Sequence, residues 1–329
     1  TVAVYTLNVT FDNDDWEDIS MGPCTNDNTG VDETCIYVGN FGNNNRGNGY
    51  VQRDILKIFK FPEPSFVNGL PPQISDPIDV ATIVYRYARP FNQDRFFDGT
   101  CAPHHVFDET TIVLFRFFLL THLFEYSLRF ISFAAEAMFV DWVGVNGVGK
   151  GDIYIISKGT CGEGVGQIPV SVHKNLALGE ESEVYGMMPL MIDPPTQGSY
   201  TCIDGPFRVW QGADMRQDGK LIAMITGASP PRVYFYPRLQ GQTVLEAFTS
   251  VLPANCPYIS SVSYGLSNER KHEAVAFVDA EGTRFADTSE CQGGSTCYVP
   301  IYFYDLIYPD TVDSLPDQEE DFDRAFFGS

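Results

Sequence analysis

The chain has 329 residues, 44% hydrophobic, 14% aromatic and 19% charged, with 21 Lys+Arg against 43 Asp+Glu for a formal charge of −22. Length and apolar content allow a sizeable core in one large or two ordinary domains, and exclude disorder as the main state. The acidic balance argues against a nucleic-acid interface and against anionic membrane surfaces, both of which need clustered Lys and Arg, and favours divalent cations, which seek carboxylate and carbonyl oxygens.

In chain order, short runs rich in Val, Ile, Tyr and Phe predict strands at Val2–Phe11, Cys35–Phe41, Ala81–Ala88, Gly151–Ser157, Leu221–Gly227, Arg232–Pro237, Glu273–Ala280 and Cys297–Tyr308. Between them lie turn clusters such as Gly42–Gly49, Pro62–Pro72, Val145–Asp152, Asp193–Ser199 and Asp279–Thr283. This pattern predicts an all-β domain over 1–312. Long amphipathic helices are absent from the pattern, which removes doubly wound and TIM-barrel folds. Residues 112–140 are dense in Phe and Leu, but Arg116, Glu125, Arg129 and Glu136 interrupt them and the longest uncharged run, Phe117–Phe124, has eight residues. A membrane span needs about 20 predominantly apolar residues, so an apolar insertion over about 108–133 is expected instead, packed on the domain, forming an interface, or arising from an imperfect gene model.

The eight cysteines are Cys24, Cys35, Cys101, Cys161, Cys202, Cys256, Cys291 and Cys297. No C-x2-4-C or H-x3-5-H pair suits zinc, so disulfides are expected, with Cys24–Cys35 and Cys291–Cys297 as local staples and the other pairings open. Asn8-Val9-Thr10 is a glycosylation acceptor pattern at Asn8. With the cysteines it predicts a secreted, extracellular glycoprotein, Thr1 being read as the start of a processed chain.

A weak repeat of an acid before a small or apolar strand start recurs at Glu17-Asp18, Glu136, Asp214 and Glu273. Its spacing is near one or two blade lengths of about 40–50 residues, and predicts a β-propeller whose equivalent acids converge on a central channel. A six-bladed ring is expected, closed by pairing Val2–Thr10 with Cys297–Tyr308 so that no sheet edge stays free.

Taken together, Asp14-Asp15-Trp16-Glu17-Asp18, Gly39-Asn40-Phe41-Gly42-Asn43-Asn44 with Arg46, Pro62-Glu63-Pro64, Ala135-Glu136-Ala137, Gly151-Asp152 with Lys158, and Ala213-Asp214 with Asp218-Gly219 form a motif series. From about residue 5 to 290 the series resembles a group of secreted, largely uncharacterised β-propeller proteins with DWED, GDxGDN, D-x-EA and DG motifs, distantly similar to esterase-like phytase propellers. The chain departs from that pattern at Asn40, Asn43 and Ala135, where acids are usual, and in the 112–133 segment, so a metal site here would hold fewer charges.

Two roles for the acidic set follow. Glu17, Asp18, Glu136, Asp214 and Glu273 with the amide oxygens of Asn40 and Asn43 offer the six to eight oxygens that calcium takes. Alternatively, each acid accepts hydrogen bonds from backbone amides of the next blade. Phosphoester hydrolysis would further need a polarised water and cations such as Arg46, Lys158, Arg232 and Lys271, which nothing in the sequence brings together. Gly144–Lys150 matches most of a phosphate loop, but Gly151 replaces its Ser/Thr and a strand follows, so a hairpin turn is expected. The neighbours His104 and His105 would point to opposite faces of a strand. Residues 313–329 carry six acids and one Arg and predict a solvated tail, or an arm whose Ala325-Phe326-Phe327 tip docks on a neighbour. The expected role is a non-enzymatic binding or structural subunit of an extracellular assembly, a filament among its forms, through self-association or other extracellular proteins and glycans. The alternative is a calcium-dependent phosphoesterase.

Overall fold

Side chains that alternate across short strands organise the molecule into stacked sheets. The computed structural model describes residues 7–8, 16–25, 32–41, 56–64, 78–87, 134–158, 164–173, 181–187, 189–191, 210–226, 232–249, 258–260, 272–289 and 301–305. The strands are β1 (Leu7–Asn8), β2 (Asp18–Thr25), β3 (Asp32–Asn40), β4 (Leu56–Pro62), β5 (Ile78–Asp79), β6 (Ala81–Tyr87), β7 (Ala134–Val140), β8 (Ile153–Lys158) and β9 (Gly164–Ile168). A one-turn helix α1 (Val170–His173) leads to β10 (Glu181–Met187), β11 (Pro189–Met191), β12 (Trp210–Met215), β13 (Leu221–Thr226) and β14 (Arg232–Pro237). Helix α2 (Val244–Thr249) precedes β15 (Tyr258–Ser260), β16 (His272–Phe277), β17 (Arg284–Ser289) and β18 (Ile301–Asp305). The all-β expectation holds, and among the described residues no helix is long and apolar enough to cross a membrane.

Four sheets carry the fold, in the strand orders β10-β6-β4-β3-β2, β11-β9-β8-β7, β12-β13-β14-β15 and β16-β17-β18. Each is an antiparallel meander apart from β10, which joins β6 in parallel. The period of two then decides the packing. In β8, Ile153 and Ile155 join Tyr37, Ile58, Ile83 and Tyr85 of the first sheet in one core cluster, while Tyr154 and Ile156 join Trp210, Met224 and Tyr234 of the third sheet in another. β13 repeats the division, with Ile222 and Met224 facing the second sheet and Ala223 and Ile225 joining Val275 and Phe285 of the fourth. Each middle sheet is therefore buried on both faces, and each large side chain so buried contributes roughly 1.5–3 kcal/mol.

The first strand of every sheet lies on the inside. β2 packs on β7, β7 on β12, β12 on β16 and β16 on β2, and β12 also reaches β2. Close approach of β2 to β7 needs a glycine, since a Cβ on Gly22 would run into the side chain of Val140.

Two expectations differ from this architecture. Four sheets of three or more strands, with the two-stranded pair β1-β5 beside them, are present among the described residues where six blades are expected. Nor, among the described residues, does the N-terminal strand pair with the C-terminal one: β1 pairs in parallel with β5, Leu7 opposite Ile78, and β18 pairs with β17. The reason is apolar, because Leu7 and Ile78 cover a cluster of Val38, Phe59, Phe61 and Val80 on the outer face of the first sheet. The segment 108–133, the tail 313–329 and the histidine pair His104-His105 lie outside the described residues.

Candidate functional site

Of the predicted acids, Asp18 and Asp214 lie close enough to act on each other's charge, both on strands that open their sheets. Glu136 and Asp214 are buried at 1% and 7% exposure on β7 and β12, and Asp18 at 5% opens β2. Glu273 lies on β16 as a main-chain position, and Asn40 is buried at the end of β3. Asn43 falls outside the described residues.

Asp18 and Asp214 act as cross-links between sheets. Asp18 Oδ2 accepts from the main-chain N–H of Met138 on β7 at 2.7 Å and of Ala213 on β12 at 3.2 Å, while Oδ1 accepts from Ile19 N–H at 2.9 Å. Asp214 Oδ2 accepts from Phe277 N–H on β16 at 2.8 Å, and Oδ1 accepts from the Ser20 hydroxyl on β2 at 3.4 Å. Two side chains thus tie all four inner strands together, which matches the second of the two roles expected for the acids.

The same burial sets their protonation. Desolvation holds the Asp18 carboxyl well above the usual carboxylate range, against the lowering effect of its amide donors and with the neighbouring Asp214 charge pushing it further up. Asp214 is pushed up to about 7 by burial, again against its hydrogen-bond donors. Main-chain N–H groups directed at these oxygens suit a hydrogen-bonded carboxyl better than calcium, which seeks free oxygens.

The strand register reveals a different repeat. In β7 the pairing with β8 slips between Ala135 and Ala137, in β12 the pairing with β13 slips between Trp210 and Gly212, and in β16 the pairing with β17 slips between His272 and Ala274. The extra residues are Glu136, Gln211 and Glu273. Just before β2, Glu17 N–H bonds to the carbonyl of Gly39, the residue opposite Asp18, so Glu17 stands at the corresponding place ahead of its strand. Bulges of this kind re-aim a side chain and strengthen local twist. Asp214, three residues beyond the bulge, is not the structural equivalent of Glu17, Glu136 and Glu273. Gln211 is, buried at 2%. A search for acids alone passes over it, although Trp210-Gln211-Gly212-Ala213 aligns by eye with Trp16-Glu17-Asp18-Ile19 and Ala135-Glu136-Ala137-Met138.

Other predicted positions resolve more simply. Cys24 and Cys35 form a disulfide across the β2–β3 hairpin with a Cα–Cα distance of 5.7 Å. Cys101, Cys161, Cys202, Cys256, Cys291 and Cys297 lie outside the described residues. Among the described residues the one trio of metal-ligating type within reach of a common ion is Cys24, Glu33 and Cys35, whose two sulfurs are already joined. Asn8 is exposed and its amide donates to Asp79 Oδ1 at 3.0 Å. Gly144–Lys150 forms the expected hairpin, with Val145 bridged to Val148 across Asn146 and Gly147, both at positive φ. Of the cations considered for a phosphoryl group, Arg46 and Lys271 lie outside the described residues, and Lys158 and Arg232 enter only as strand positions.

A buried ion pair fixes the next layer out. Arg238 Nη1 donates to both oxygens of Asp141 at 2.9 Å, Arg238 Nε donates to Gln242 O at 2.7 Å, and Asp141 Oδ1 also accepts from Val143 and Gly144 N–H. It joins the end of β14 to the loop after β7, and all its groups are satisfied, as a buried charge requires.

Compared with models of known protein families the chain matches none, and a search of curated proteins returns no match.

Proposed function

We propose that this chain is a secreted β-propeller serving as a non-enzymatic binding or structural subunit of an extracellular assembly. The observation that carries this reading is the commitment of the Asp18 and Asp214 oxygens to donors on neighbouring inner strands. Carboxyls used in this way brace the axis and leave neither oxygen free to activate a water. Propeller closure is supported by the inner strands, which contact one another in sequence and return from β16 to β2, an arrangement that suits a ring of four sheets. An extracellular setting is supported by the Cys24–Cys35 disulfide. A binding role is supported by the outer strand β18, where Ile301 and Phe303 are 60% and 55% exposed. Two large apolar side chains on one face of an outermost strand are the kind of surface that a second chain covers.

The test is the oligomeric state of the purified, glycosylated chain by light scattering. Discrete oligomers or filaments that Ile301→Asp with Phe303→Asp converts to monomer are expected; a monomer at all concentrations with no extracellular protein or glycan bound overturns the reading.

The calcium-dependent phosphoesterase is a second reading favoured by one observation, the bulge positions of Glu136, Gln211 and Glu273 on β7, β12 and β16, with Glu17 at the corresponding place ahead of β2. It rests on those positions, not on Asp18 and Asp214. Phosphatase activity lost on chelation and in Glu136→Gln would establish it and displace the purely structural role.

A further inference from the structure

A cavity of about 70 Å³ opens between the β2–β3 hairpin, β4, the β7–β8 loop and α1, lined among others by Lys60, Lys150, Tyr37, Asp32 and His173. It is larger than a single water requires, which is about 10–15 Å³ on the same kind of measure. Three features of its lining point to a ligand.

His173 is 1% exposed and its Nε2 lies 2.8 Å from the carbonyl of Gly151. A carbonyl only accepts, so Nε2 carries the proton and Nδ1 presents a lone pair. Nδ1 is buried and has no hydrogen-bond partner among the described residues. Burial, with the nearby Lys60 charge, lowers the ring to about 4, so the imidazole is neutral at physiological pH and Nδ1 is an acceptor awaiting a donor. The second feature is charge. In a chain of net −22, Lys60, at 4% exposure, and Lys150 both line this cavity, and Asp32 is the one carboxylate among the described lining residues. Third, that carboxylate is already engaged, since Lys150 Nζ pairs with Asp32 Oδ2 at 2.9 Å at the exposed rim. The Tyr37 hydroxyl donates to the carbonyl of Pro23 at 3.0 Å and so is not a competing donor to His173.

Cations and a lone-pair acceptor in one small space select an anion that also carries a proton. We propose that this cavity binds a small oxyanion with one protonated oxygen, of the hydrogenphosphate type, with Lys60 and Lys150 facing its charge and His173 Nδ1 accepting from its O–H. Sulfate has the same shape but no proton at neutral pH, and would set oxygen lone pairs against the Nδ1 lone pair. The site stands apart from the inner strands' bulge positions and does not depend on the role proposed for the whole chain.

The experiment titrates the full glycosylated chain at pH 7 with inorganic phosphate, sulfate and methyl phosphate, followed by calorimetry and by the ¹⁵N resonances of the His173 ring. Saturable phosphate binding is expected, with sulfate weaker by about tenfold or more, the effect of one mismatched hydrogen bond at a buried acceptor. The Nδ1 resonance moves on adding phosphate and not on adding sulfate. Methyl phosphate, largely unprotonated at pH 7, binds weakly there and gains relative to phosphate near pH 5, where it keeps one proton; that gain would show that the site accepts esters as well as the free ion. His173→Phe and Lys60→Met alter buried side chains and with them the packing of the fold, so Lys150→Gln at the exposed rim is the decisive variant, with phosphate affinity reduced about three- to tenfold and the fold retained. Equal binding of phosphate and sulfate, an unmoved His173 resonance, or no saturable binding each overturns the proposal.

Discussion

The inner strands and the rim cavity both bury titratable groups, yet in opposite conditions. Asp18 and Asp214 meet a donor at each carboxylate oxygen, from β7, β12, β16, β2 or their own main chain. His173 is as deeply buried, has one ring nitrogen bonded to Gly151 and the other left, beside two lysines, without a partner among the described residues. Burial of a polar group is costly in both places. Where the chain itself supplies every partner, the group stabilises the fold; where it leaves an acceptor unmatched next to positive charge, the missing partner comes from outside. The acidic composition draws attention to the first region, while the second, an electropositive exception, is the better place to look for a small ligand.

Breaking the inner network should have the largest effect. Asp18→Ala strips the acceptor from the N–H groups of Met138 and Ala213, and at about 1–3 kcal/mol for each buried donor so orphaned, a loss of about 2–6 kcal/mol is expected in urea unfolding. Asp18→Asn, which keeps an acceptor oxygen, should recover much of that loss. A variant as stable as the parent would mean that the inner strands are held by apolar packing alone.

Next is the hairpin that joins the two regions, since Cys24 lines the cavity near the opposite end of β2 from Asp18. Replacing Cys24 and Cys35 together with Ser removes a cross-link closing an 11-residue separation and should cost about 3 kcal/mol by the loop-entropy account. The same variant should weaken phosphate binding while leaving the Asp18 hydrogen bonds in place, a division visible in the amide resonances of Met138 and Ala213.

A pH series separates the regions without altering size. Asp214 has a folded-state value near 7, above the ordinary carboxylate value, so the folded protein holds a proton that the unfolded chain releases. Its contribution to stability is complete below about pH 4 and is lost as pH rises toward and through 7, with Asp18 shifted in the same direction. Comparing wild type with Asp214→Asn isolates this component from other carboxylates: the wild type should lose more stability than the variant between pH 4 and 8. Parallel curves would show that Asp214 is ionised throughout in the folded state.

Much of this architecture is legible in the sequence, for reasons that particular residues make plain. Strands buried on both faces, such as Ile153-Tyr154-Ile155-Ile156 and Leu221–Thr226, are continuous apolar runs bounded by turn residues and are easily found. β2 is predicted only as a strand start after Glu17-Asp18, because Gly22 and Pro23 interrupt its apolar pattern, and its place follows from the approach to Val140, which no local pattern records. The acids on inner strands are visible as a repeat, but the true period is set by bulges, which shift the register by one residue and can be filled by an amide as well as an acid, so Gln211 is passed over for Asp214. The cavity is invisible for a different reason. Lys60, Lys150 and His173 come from a strand, a turn and a one-turn helix that have no common spacing, and only tertiary packing brings them together.

The smallest expected effect on stability belongs to the rim, and its sign on binding is the most telling. Asp32 and Lys150 are exposed and paired at 2.9 Å, and the Lys150 partner holds the Asp32 carboxyl below its ordinary value. Pairs exposed to this extent contribute little to folding, so Asp32→Asn should leave the urea midpoint unchanged. It removes the one carboxylate among the described lining residues and frees Lys150 for the ligand, so phosphate should bind more tightly, by about two- to fivefold at low salt, with the gain shrinking as salt screens the rim. General damage to the hairpin would weaken binding, whereas a site governed by local charge must strengthen it. Tighter phosphate binding in Asp32→Asn and looser binding in Lys150→Gln, with unfolding unaltered in both, would place the electrostatic control of the cavity at its rim and leave the inner carboxyls to the fold.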